Sequence, residues 1–345
     1  MKCFNFSELK VPVIQAPMAG GFNTPELASS VANSGGVGSF GFSFTTPEKI
    51  DETLKITKQL TNGFINANFF VFKPVELPIK ETQHLAIEAL RLLPFNESYE
   101  LTIPGQPFYE DLDNQIEATL ENFPSIITFH LGIPSVSIID KIKTLGIKVG
   151  ITATSPKEAL SIEKAGADFI VAQGIEAGGH RGIFDQNKRD HEIKLENLLQ
   201  QILKITSLPI VAAGGIMDGK DIKRVIKMGA KAAQLGTAFL TCKEAGTSKI
   251  HRHYLLNKQN RKTKLTKAFS GRLARGIDNV FIKEMEGKTI LPFPIQNTIT
   301  GPIRKVSISK NNGEFINLWA GKNFSKVRSI SSGQFIKELK IELNT

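Results

Sequence analysis

The sequence predicts a parallel α/β fold closed into a (β/α)8 barrel, and three observations support this prediction. Segments with the pattern of buried strands alternate with segments that have the pattern of helices, which is typical of parallel α/β architecture. Eight such strands can be counted along the chain. Most are apolar on both faces, as strands covered by helices must be. An open doubly wound sheet uses the same alternation, but eight evenly spaced units favour closure into a TIM barrel.

The predicted strands are apolar runs that follow one another along the chain. In order they are Val11–Met18, Val37–Phe42, Phe64–Val71, Ile126–Leu131, Lys148–Thr154, Phe169–Gln173, Pro209–Ala213 and Ala232–Leu240. In a barrel of this kind the carboxyl ends of all eight strands meet at one face, where the active site lies. The residues that follow each strand are therefore the first candidates for function.

The helices between these strands are predicted to begin at hydroxyl residues followed by proline. A hydroxyl at the N-cap accepts a hydrogen bond from a free helix amide, and proline at the first position needs no amide partner. Glu158 stands where a capping box places its acidic residue. The starts are Thr24-Pro25, Thr46-Pro47 and Ser155-Pro156, and the glycines that close helices as left-handed caps are Gly146, Gly166 and Gly229.

Two segments do not fit the strand–helix repeat. Lys73–Asn122 is an insertion with a helical pattern near Ile79–Leu92, and Lys243–Thr345 continues well past the eighth strand. We expect a barrel over residues 1–242, with an insertion at about 73–122, and an extension over residues 243–345 that packs on it. Together the two segments would form a smaller lid or substrate domain. The last thirty or so residues have too weak a pattern for an assignment.

Composition narrows the class of protein. The chain has 345 residues, of which 41% are hydrophobic and 22% are charged, an ordinary balance for a globular protein. No segment approaches the ~20 consecutive apolar residues of a membrane span, and Met1–Lys10 lacks the apolar core of a secretory signal. Cys3 and Cys242 form neither a CxxC pair nor a disulfide framework. We expect a cytoplasmic protein without a structural metal, as a monomer or homodimer.

The net charge of +10 raises the question of nucleic-acid binding. The excess is spread over the helices and gathers mainly in the C-terminal third, as in Asn257–Lys267. No basic–aromatic RNA motif or zinc-finger spacing accompanies it. We interpret the charge as solvated surface, which could also favour an anionic substrate.

Glycine-rich segments follow the seventh and eighth predicted strands. They read Ala212-Ala213-Gly214-Gly215 and Gln234-Leu235-Gly236-Thr237. The loops after these two strands commonly hold a phosphate group in (β/α)8 barrels. Glycine lets backbone amides approach phosphate oxygens, and the Thr237 hydroxyl adds a donor. The alternative is that these glycines only form turns. No GxGxxG follows the first strand, which argues against a Rossmann dinucleotide site.

Two histidines lie at predicted strand ends. His180 stands among glycines in Gly178-Gly179-His180-Arg181-Gly182, a poor setting for core packing but a good one for an imidazole at the barrel mouth. His130 ends the fourth strand and could face the same mouth or be a buried, satisfied histidine. Asn68 and Gln15-Ala16-Pro17-Met18 also lie at strand ends and could contact a planar ring. The other four histidines, which we expect at the surface, are His84, His191, His251 and His253.

Together these residues resemble the nitronate monooxygenase family. The matching segments run from Val11 to about Gly276: Gln15–Met18, Asn68–Phe70, Phe129–Gly132, Ala172–Gly182, Ala212–Gly215, Gln234–Thr237 and Phe269–Arg272. The segment around Glu176-Ala177-Gly178-Gly179-His180 is shared with FMN-dependent enoyl-ACP reductases and related quinone reductases. The segment Phe129–Pro134 is more similar to nitronate monooxygenases.

The resemblance implies FMN as cofactor, bound by the barrel over residues 1–242, and His180 as a catalytic residue, and we expect His130 to be the second. It implies that His180 is a base for a neutral nitroalkane or holds a preformed nitronate. The implied reaction is the oxidation of alkyl nitronates, such as propionate 3-nitronate, by O2 to an aldehyde or ketone and nitrite or nitrate. The implied cofactor-binding residues are Ala16, Pro17, Met18, Asn68, Gln173, Gly178, Gly179, Gly214, Gly215, Gln234, Leu235, Gly236 and Thr237.

The chain also departs from the family pattern. Family members often place tyrosines around the substrate, whereas this chain has only Tyr99, Tyr109 and Tyr254, of which the last two are candidates. Lys322 could meet a substrate carboxylate. An alternative function is an FMN-dependent NAD(P)H reductase of quinones or enoyl thioesters, and another is a non-catalytic flavin- or phosphate-binding protein. His130 favours nitronate oxidation over reduction, and His180 in its glycine setting argues against a non-catalytic protein.

Overall fold

A computed structural model describes residues 4–94, 100–257 and 260–344 of the chain. Cys3, Tyr99 and part of the segments Met1–Lys10 and Asn257–Lys267 lie outside the described residues. Eight parallel strands form a barrel: β1 (Val13–Gln15), β2 (Gly38–Gly41), β3 (Ile65–Phe70), β4 (Ile126–His130), β5 (Lys148–Ala153), β6 (Phe169–Gln173), β8 (Ile210–Ala213) and β9 (Ala232–Leu235). A separate small sheet contains β7 (Gly179–His180), β10 (Thr263–Thr266) and β11 (Ala274–Ile277).

The barrel closes between its first two strands. Every neighbouring pair from β2 around to β9 and back to β1 is parallel. The backbone amide of Gln15 donates to the carbonyl of Val37 at 2.9 Å, and the amide of Val37 donates to the carbonyl of Val13 at 3.0 Å. These two bonds join β1 to the residue that precedes β2. The predicted TIM barrel is therefore confirmed.

The eighth barrel strand is shorter than predicted. It ends at Leu235 rather than Leu240, and a 3-10 helix forms over Thr237–Phe239. The cause is Gly236, which has φ −108° and ψ −74° and so leaves the extended conformation. This break brings Thr237 to the barrel mouth instead of placing it within the sheet.

The helices of the barrel are α1 (Pro25–Asn33), α2 (Pro47–Leu60), α4 (Leu112–Leu120), α5 (Val136–Thr144), α6 (Pro156–Lys164), α7 (Leu195–Ile202) and α8 (Gly219–Lys227), and the insertion adds α3 (Lys80–Arg91). Three of the barrel helices, α1, α2 and α6, begin at the predicted hydroxyl–proline pairs. The hydroxyl of Thr24 accepts from the amide of Leu27 at 3.1 Å. Glu158 departs from a capping box, because its Oε2 accepts from the amide of Thr154 and its Oε1 from the amide of Phe184.

The segment after the barrel strands contributes both to the barrel and to a second layer. It contains α9 (Lys249–Asn257), α10 (Val280–Glu284), α11 (Ile295–Ile299), α12 (Gly301–Ser309) and α13 (Ser332–Asn344). The last of these, which the sequence left unassigned, packs between α8 and α1 in the ring of outer helices. The hydroxyls of Ser332 and Ser30 are 2.7 Å apart, and Glu342 Oε2 accepts from the amide of Gly219 at 2.7 Å.

A second hydrophobic cluster covers the barrel mouth. Its buried side chains come from α3 of the insertion and from the segment after the barrel, including Leu90, Phe269, Phe281, Ile299 and Ile303. The two irregular segments of the sequence thus pack against each other, apart from the main barrel core. None of the described helices is both long and apolar enough to cross a membrane.

Candidate active site

A cavity of about 560 Å³ lies at the carboxyl ends of the barrel strands. Strands β3, β4, β6, β8 and β9 and the loop after β1 line its barrel side. Helix α12 and residues 316–323 line the opposite side. The covering layer therefore turns the open mouth of the barrel into a pocket, in the size range of sites for cofactors and small ligands.

The loops after β8 and β9 form one end of the pocket. Gly214 and Gly215 have φ of +122° and +71°, values that favour glycine. The Thr237 hydroxyl accepts from the amide of Gly321 at 2.9 Å, which leaves its own hydrogen free to donate. The side-chain amide of Asn323 donates to the carbonyl of Gly215 at 2.7 Å and fixes the loop. This end offers glycine backbone and a hydroxyl donor, as an anion site requires.

The opposite part of the barrel wall offers amide groups and a thioether. Asn68 donates from its Nδ2 to the carbonyl and hydroxyl of Thr128, at 3.1 and 2.9 Å, and its Oδ1 accepts from none of the described residues. Gln234, Ala16 and Pro17 also line the pocket, as does Met18, which supplies the thioether. The backbone amide of Met18 donates to Asn23 Oδ1, which fixes the loop after β1.

Of the thirteen predicted cofactor residues, Leu235 is the one whose side chain does not line the pocket. It is 1% exposed and belongs to the barrel core, while its carbonyl accepts from the amide of Ala16 at 2.7 Å. The other twelve line the pocket, as do His130 and His180.

His180 is held in the pocket by its backbone and by its ring. It pairs with Ala274 of β11, and its Nε2 lies 2.9 Å from the hydroxyl of Ser270. That hydroxyl also lies 3.1 Å from the carbonyl of Arg272. The Nδ1 atom has no hydrogen-bond partner among the described residues. Burial first, and then the charges of Arg272 and Arg304, lower the pKa of His180 to about 3, so the ring is neutral at pH 7.

Aromatic rings surround the His180 imidazole. The centroids of Phe70, Phe293 and Trp319 lie 5.8, 5.3 and 5.6 Å from its own. These apolar rings shield much of the imidazole from water, and this desolvation is the main cause of the lowered pKa. They also fix the ring plane, since little free volume remains on those sides.

His130 contacts the backbone of the His180 loop. Its Nε2 lies 3.1 Å from the carbonyl of His180. A carbonyl only accepts, so this nitrogen carries the hydrogen of the neutral ring. The Nε2 of Gln173 donates to the same carbonyl at 3.0 Å, and its Oε1 accepts from Arg181 and from the amide of Gly182, both at 2.9 Å. Burial lowers the pKa of His130 to about 4. His130 and Gln173 thus position the loop that carries His180.

A buried ion pair also stabilises the loop that carries His180. Arg181 is fully buried, and its Nε lies 2.6 Å from Asp190 Oδ2. Its Nη1 also donates to the carbonyls of Gln173 and Gly174, at 3.1 and 2.9 Å. Gly182 has no room for a side chain, because a Cβ there would lie 2.8 Å from Thr152 Cγ2. The glycine-rich loop is therefore rigid.

Several pocket residues were not found from the sequence. His251, expected at the surface, is 2% exposed and lines the pocket, so that prediction was wrong. The loop before α9 packs against Phe22, whose ring centroid lies 5.7 Å from that of His251, and this long-range contact buries it. The other three histidines expected at the surface are exposed: His84, His191 and His253. Other residues of the site that sequence reasoning missed include Ser270, Phe293, Arg304, Lys305 and Trp319.

The tyrosines and Lys322 lie elsewhere. Tyr109 stacks on Phe72 with ring centroids 4.3 Å apart, and Tyr254 donates to Glu314 at 2.6 Å. Neither tyrosine lines the pocket, and neither does Lys322, whose side chain is exposed. The cationic side chains of the pocket wall are instead Arg304 and Lys305. No aspartate or glutamate lines the wall in the described parts of the chain. The pocket is thus suited electrostatically to anions.

Comparisons with known proteins agree with this geometry. The sequence profile of the family described as nitronate monooxygenase matches residues 4–342. A probable nitronate monooxygenase from Staphylococcus aureus (strain Newman) is 39% identical over 321 residues, which cover 91% of this chain and 89% of the relative. The relative from strain JH9 is equally similar.

Solved structures show the same architecture. A nitroalkane oxidase from Streptomyces ansochromogenes superposes with a TM-score of 0.91 at 33% identity, over 98% of this chain and 97% of the other. FabK from Thermotoga maritima superposes with a TM-score of 0.72 at 23% identity, over 98% and 94% of the two chains, a likeness of fold alone.

Proposed function

Because the chain belongs to the nitronate monooxygenase family and is a flavin-dependent oxidoreductase, we propose that it uses FMN to oxidise alkyl nitronates with O2. The products would be an aldehyde or ketone and nitrite or nitrate, and propionate 3-nitronate is the substrate we would test first. One observation carries the proposal: the pocket around the neutral His180 has cationic side chains and no carboxylate in its described wall. Such a pocket favours an anionic substrate over a neutral one.

The residues of the pocket fit FMN. The loops of Gly214–Gly215 and Gly236–Thr237 would hold the phosphate, since they combine exposed glycine backbone with the free hydroxyl hydrogen of Thr237. The free Oδ1 of Asn68 and the amide of Gln234 would bond the polar edge of the ring. At Gly236, a Cβ would lie 3.3 Å from the Cβ of Ala16, so a side chain there would narrow the cradle. When bound, FMN would supply the electron acceptor that lets a nitronate react with O2.

The Ser270 hydroxyl lets the His180 ring act in two ways. When Ser270 accepts from Nε2 and donates to the carbonyl of Arg272, the Nδ1 of His180 carries a lone pair and can accept an α-proton. When Ser270 donates to Nε2 instead, Nδ1 carries the hydrogen and can donate to a nitronate oxygen. The first state converts a nitroalkane R–CH2–NO2 into its nitronate and leaves an imidazolium. The second holds a nitronate that is already formed.

The electrostatics of the pocket favour the state in which His180 donates a hydrogen bond to a preformed nitronate. A pKa of about 3 makes His180 a weak base, because burial and nearby arginines oppose an imidazolium. The same cations stabilise a nitronate. We therefore infer that preformed nitronates react faster than neutral nitroalkanes.

The test is anaerobic mixing of the purified yellow protein with propionate 3-nitronate and, separately, with NADH and NADPH. Nitronate should bleach the flavin absorbance, and either nicotinamide should do so slowly or not at all. Rapid bleaching by NADH together with no turnover of nitronate would place the chain among the reductases and contradict the proposal.

A further inference from the structure

Arg304 is a cation of the pocket wall without an acidic partner. No carboxylate oxygen of the described residues lies within 4.0 Å of its guanidinium. Burial lowers the pKa of Arg304 to about 10, and no carboxylate of the described residues raises it again. Even a partly buried charge is costly unless something compensates it. The absence of a protein counter-ion, at a position that lines the pocket, points to an anion supplied by a ligand.

The guanidinium of Arg304 is fixed on one side and free on the other. Its Nη2 donates to the carbonyl and to the Oδ1 of Asn297, at 2.6 and 3.3 Å, and its Nε donates to the carbonyl of Thr300 at 3.4 Å. The hydroxyl of Thr300 is tied to the carbonyl of Phe269 at 2.6 Å. Both N–H groups of Nη1 lack an acceptor among the described residues. These contacts orient the side chain and leave two donors for a carboxylate.

Open space lies beside this guanidinium. At Gly301, one turn earlier on α12, an added Cβ would meet a single group within 4 Å apart from its chain neighbours and the backbone of its own helix, the Nη2 of Arg304 at 3.8 Å. Both Gly301 and Arg304 line the pocket that contains His180. The charge of Arg304 reaches that imidazole, since it is among the causes of the lowered pKa of His180. A short substrate chain could therefore extend from His180 toward Arg304.

We propose that Arg304 determines specificity by binding a carboxylate at the end of the substrate distal to the nitronate carbon. This inference rests on the proposed function. The phosphate of the cofactor is the competing anion, but the loops after β8 and β9 already offer it backbone amides and the Thr237 hydroxyl. Lys322, the residue expected from the sequence to bind a carboxylate, is outside the pocket.

The experiment compares two nitronates of equal carbon number, propionate 3-nitronate and propyl-1-nitronate, which lacks the carboxylate. Arg304→Gln should raise the KM for propionate 3-nitronate about 10- to 100-fold, the range expected for a lost charge-assisted hydrogen bond. The KM for propyl-1-nitronate should change less than about threefold, and the FMN content should not change. Arg304→Lys should recover part of the loss. Lys283→Gln, which removes an exposed cation outside the pocket, is the charge-matched control.

A steric variant tests the same subsite without altering its charge. Gly301→Val should fill the space beside the guanidinium and raise the KM for propionate 3-nitronate more than that for propyl-1-nitronate. An unchanged ratio of the two KM values in both variants would overturn the inference, as would loss of FMN from Arg304→Gln, which would make Arg304 a cofactor ligand. Failure of the wild-type protein to oxidise either nitronate would instead contradict the proposed function.

Discussion

His130 acts on His180 through the backbone, because its Nε2 lies 3.1 Å from the carbonyl oxygen of His180. The His180 ring has a different partner, the hydroxyl of Ser270 at 2.9 Å. The two histidines therefore have separable roles in the pocket. One ring positions the loop, and the other is available to the substrate. Substitution of each histidine on its own should therefore have a different effect on activity.

His180→Asn should keep FMN and lose activity. Asparagine retains a hydrogen-bonding side chain but cannot act as the base, a role that typically contributes ~10²–10⁴-fold. We expect kcat/KM for neutral nitroalkanes, if the wild type uses them, to fall by that range, and kcat/KM for nitronates to fall less. Steady-state assays of both substrate forms measure this, with the exposed His84→Asn as control. Wild-type rates on both forms would show that His180 is neither base nor anchor.

His130→Leu should lower kcat/KM for nitronates about 10-fold, because the carbonyl of His180 loses one of its two donors. His130→Gln keeps a donor and should restore much of the rate. With a pKa of about 4, His130 should not contribute to the pH–rate profile near neutrality, so the profile of the leucine variant should match that of the wild type. No rescue by glutamine, or an altered profile, would favour direct contact with substrate.

Gly215→Asp should yield colourless protein. The substitution places a carboxylate at the predicted phosphate cradle, at a φ of +71°. Gly287→Asp controls for the backbone conformation alone, because Gly287 has a φ of +70° and lies outside the pocket, whereas a Cβ at Gly215 would also lie 2.9 Å from the Cβ of Glu176. We expect FMN release on denaturation from the control and little from Gly215→Asp. Equal FMN content in the two variants would place the phosphate elsewhere.

Asp190→Asn should destabilise the protein strongly. It leaves the fully buried Arg181 without its counter-ion, a change that typically costs about 3–5 kcal/mol. Asp185→Asn, which breaks an exposed contact with Lys188 at 3.8 Å, should cost at most about 1 kcal/mol. Urea denaturation of both variants gives the comparison. Similar midpoints would mean that solvent reaches Arg181 and that the loop is less rigid than its contacts indicate.

Acid should destabilise the fold from about pH 6.5 downward. His130, His180 and His251 have folded-state pKa values lowered to about 4, 3 and 4, mainly by burial. The unfolded chain therefore binds more protons than the folded one between pH 6.5 and pH 4, and stability falls as pH falls. Each histidine contributes about 1.4 kcal/mol per pH unit in this window.

His251→Gln isolates one of these contributions. Glutamine keeps a polar side chain with a hydrogen-bond donor and an acceptor, but it does not titrate. The free energy of unfolding, measured in urea at pH 6, 5 and 4, should decline less steeply in the variant by about 1.4 kcal/mol per pH unit. Parallel curves would show that His251 is protonated equally in both states.

The fold was predictable because its signals are local. Helix starts at Thr24 and Thr46 and the glycines after β8 depend on residues a few positions apart, and the structure places them as expected. The barrel followed from the count and apolar character of the strands. The same local reasoning placed His180 and Thr237 at the barrel mouth, where both line the pocket.

The side of the pocket formed by the segment after the barrel strands was not predictable, because it depends on contacts between residues that are distant in sequence. Ser270 reaches the His180 ring across 90 positions, and Thr237 meets Gly321 across 84. Arg304 follows no strand and no glycine motif, so its sequence context resembles that of a surface helix. The sequence around His251 is polar and predicts an exposed side chain, but the loop before α9 packs against Phe22 and buries it. Such contacts exist only once the chain has folded back on itself.

The packing of α13 between α8 and α1 sets an order for biosynthesis. During translation, residues 332–344 leave the ribosome after all the barrel strands, so the ring of outer helices stays open until then. The amide of Gly219, just beyond the glycine loop after β8, can donate to Glu342 only after that residue has been synthesised. In the same way, the carbonyl of Gly215 can accept from Asn323 only after Asn323 has been synthesised. We expect a nascent chain stalled before residue 320 to retain little flavin, and cofactor capture to be one of the last events in the maturation of the enzyme.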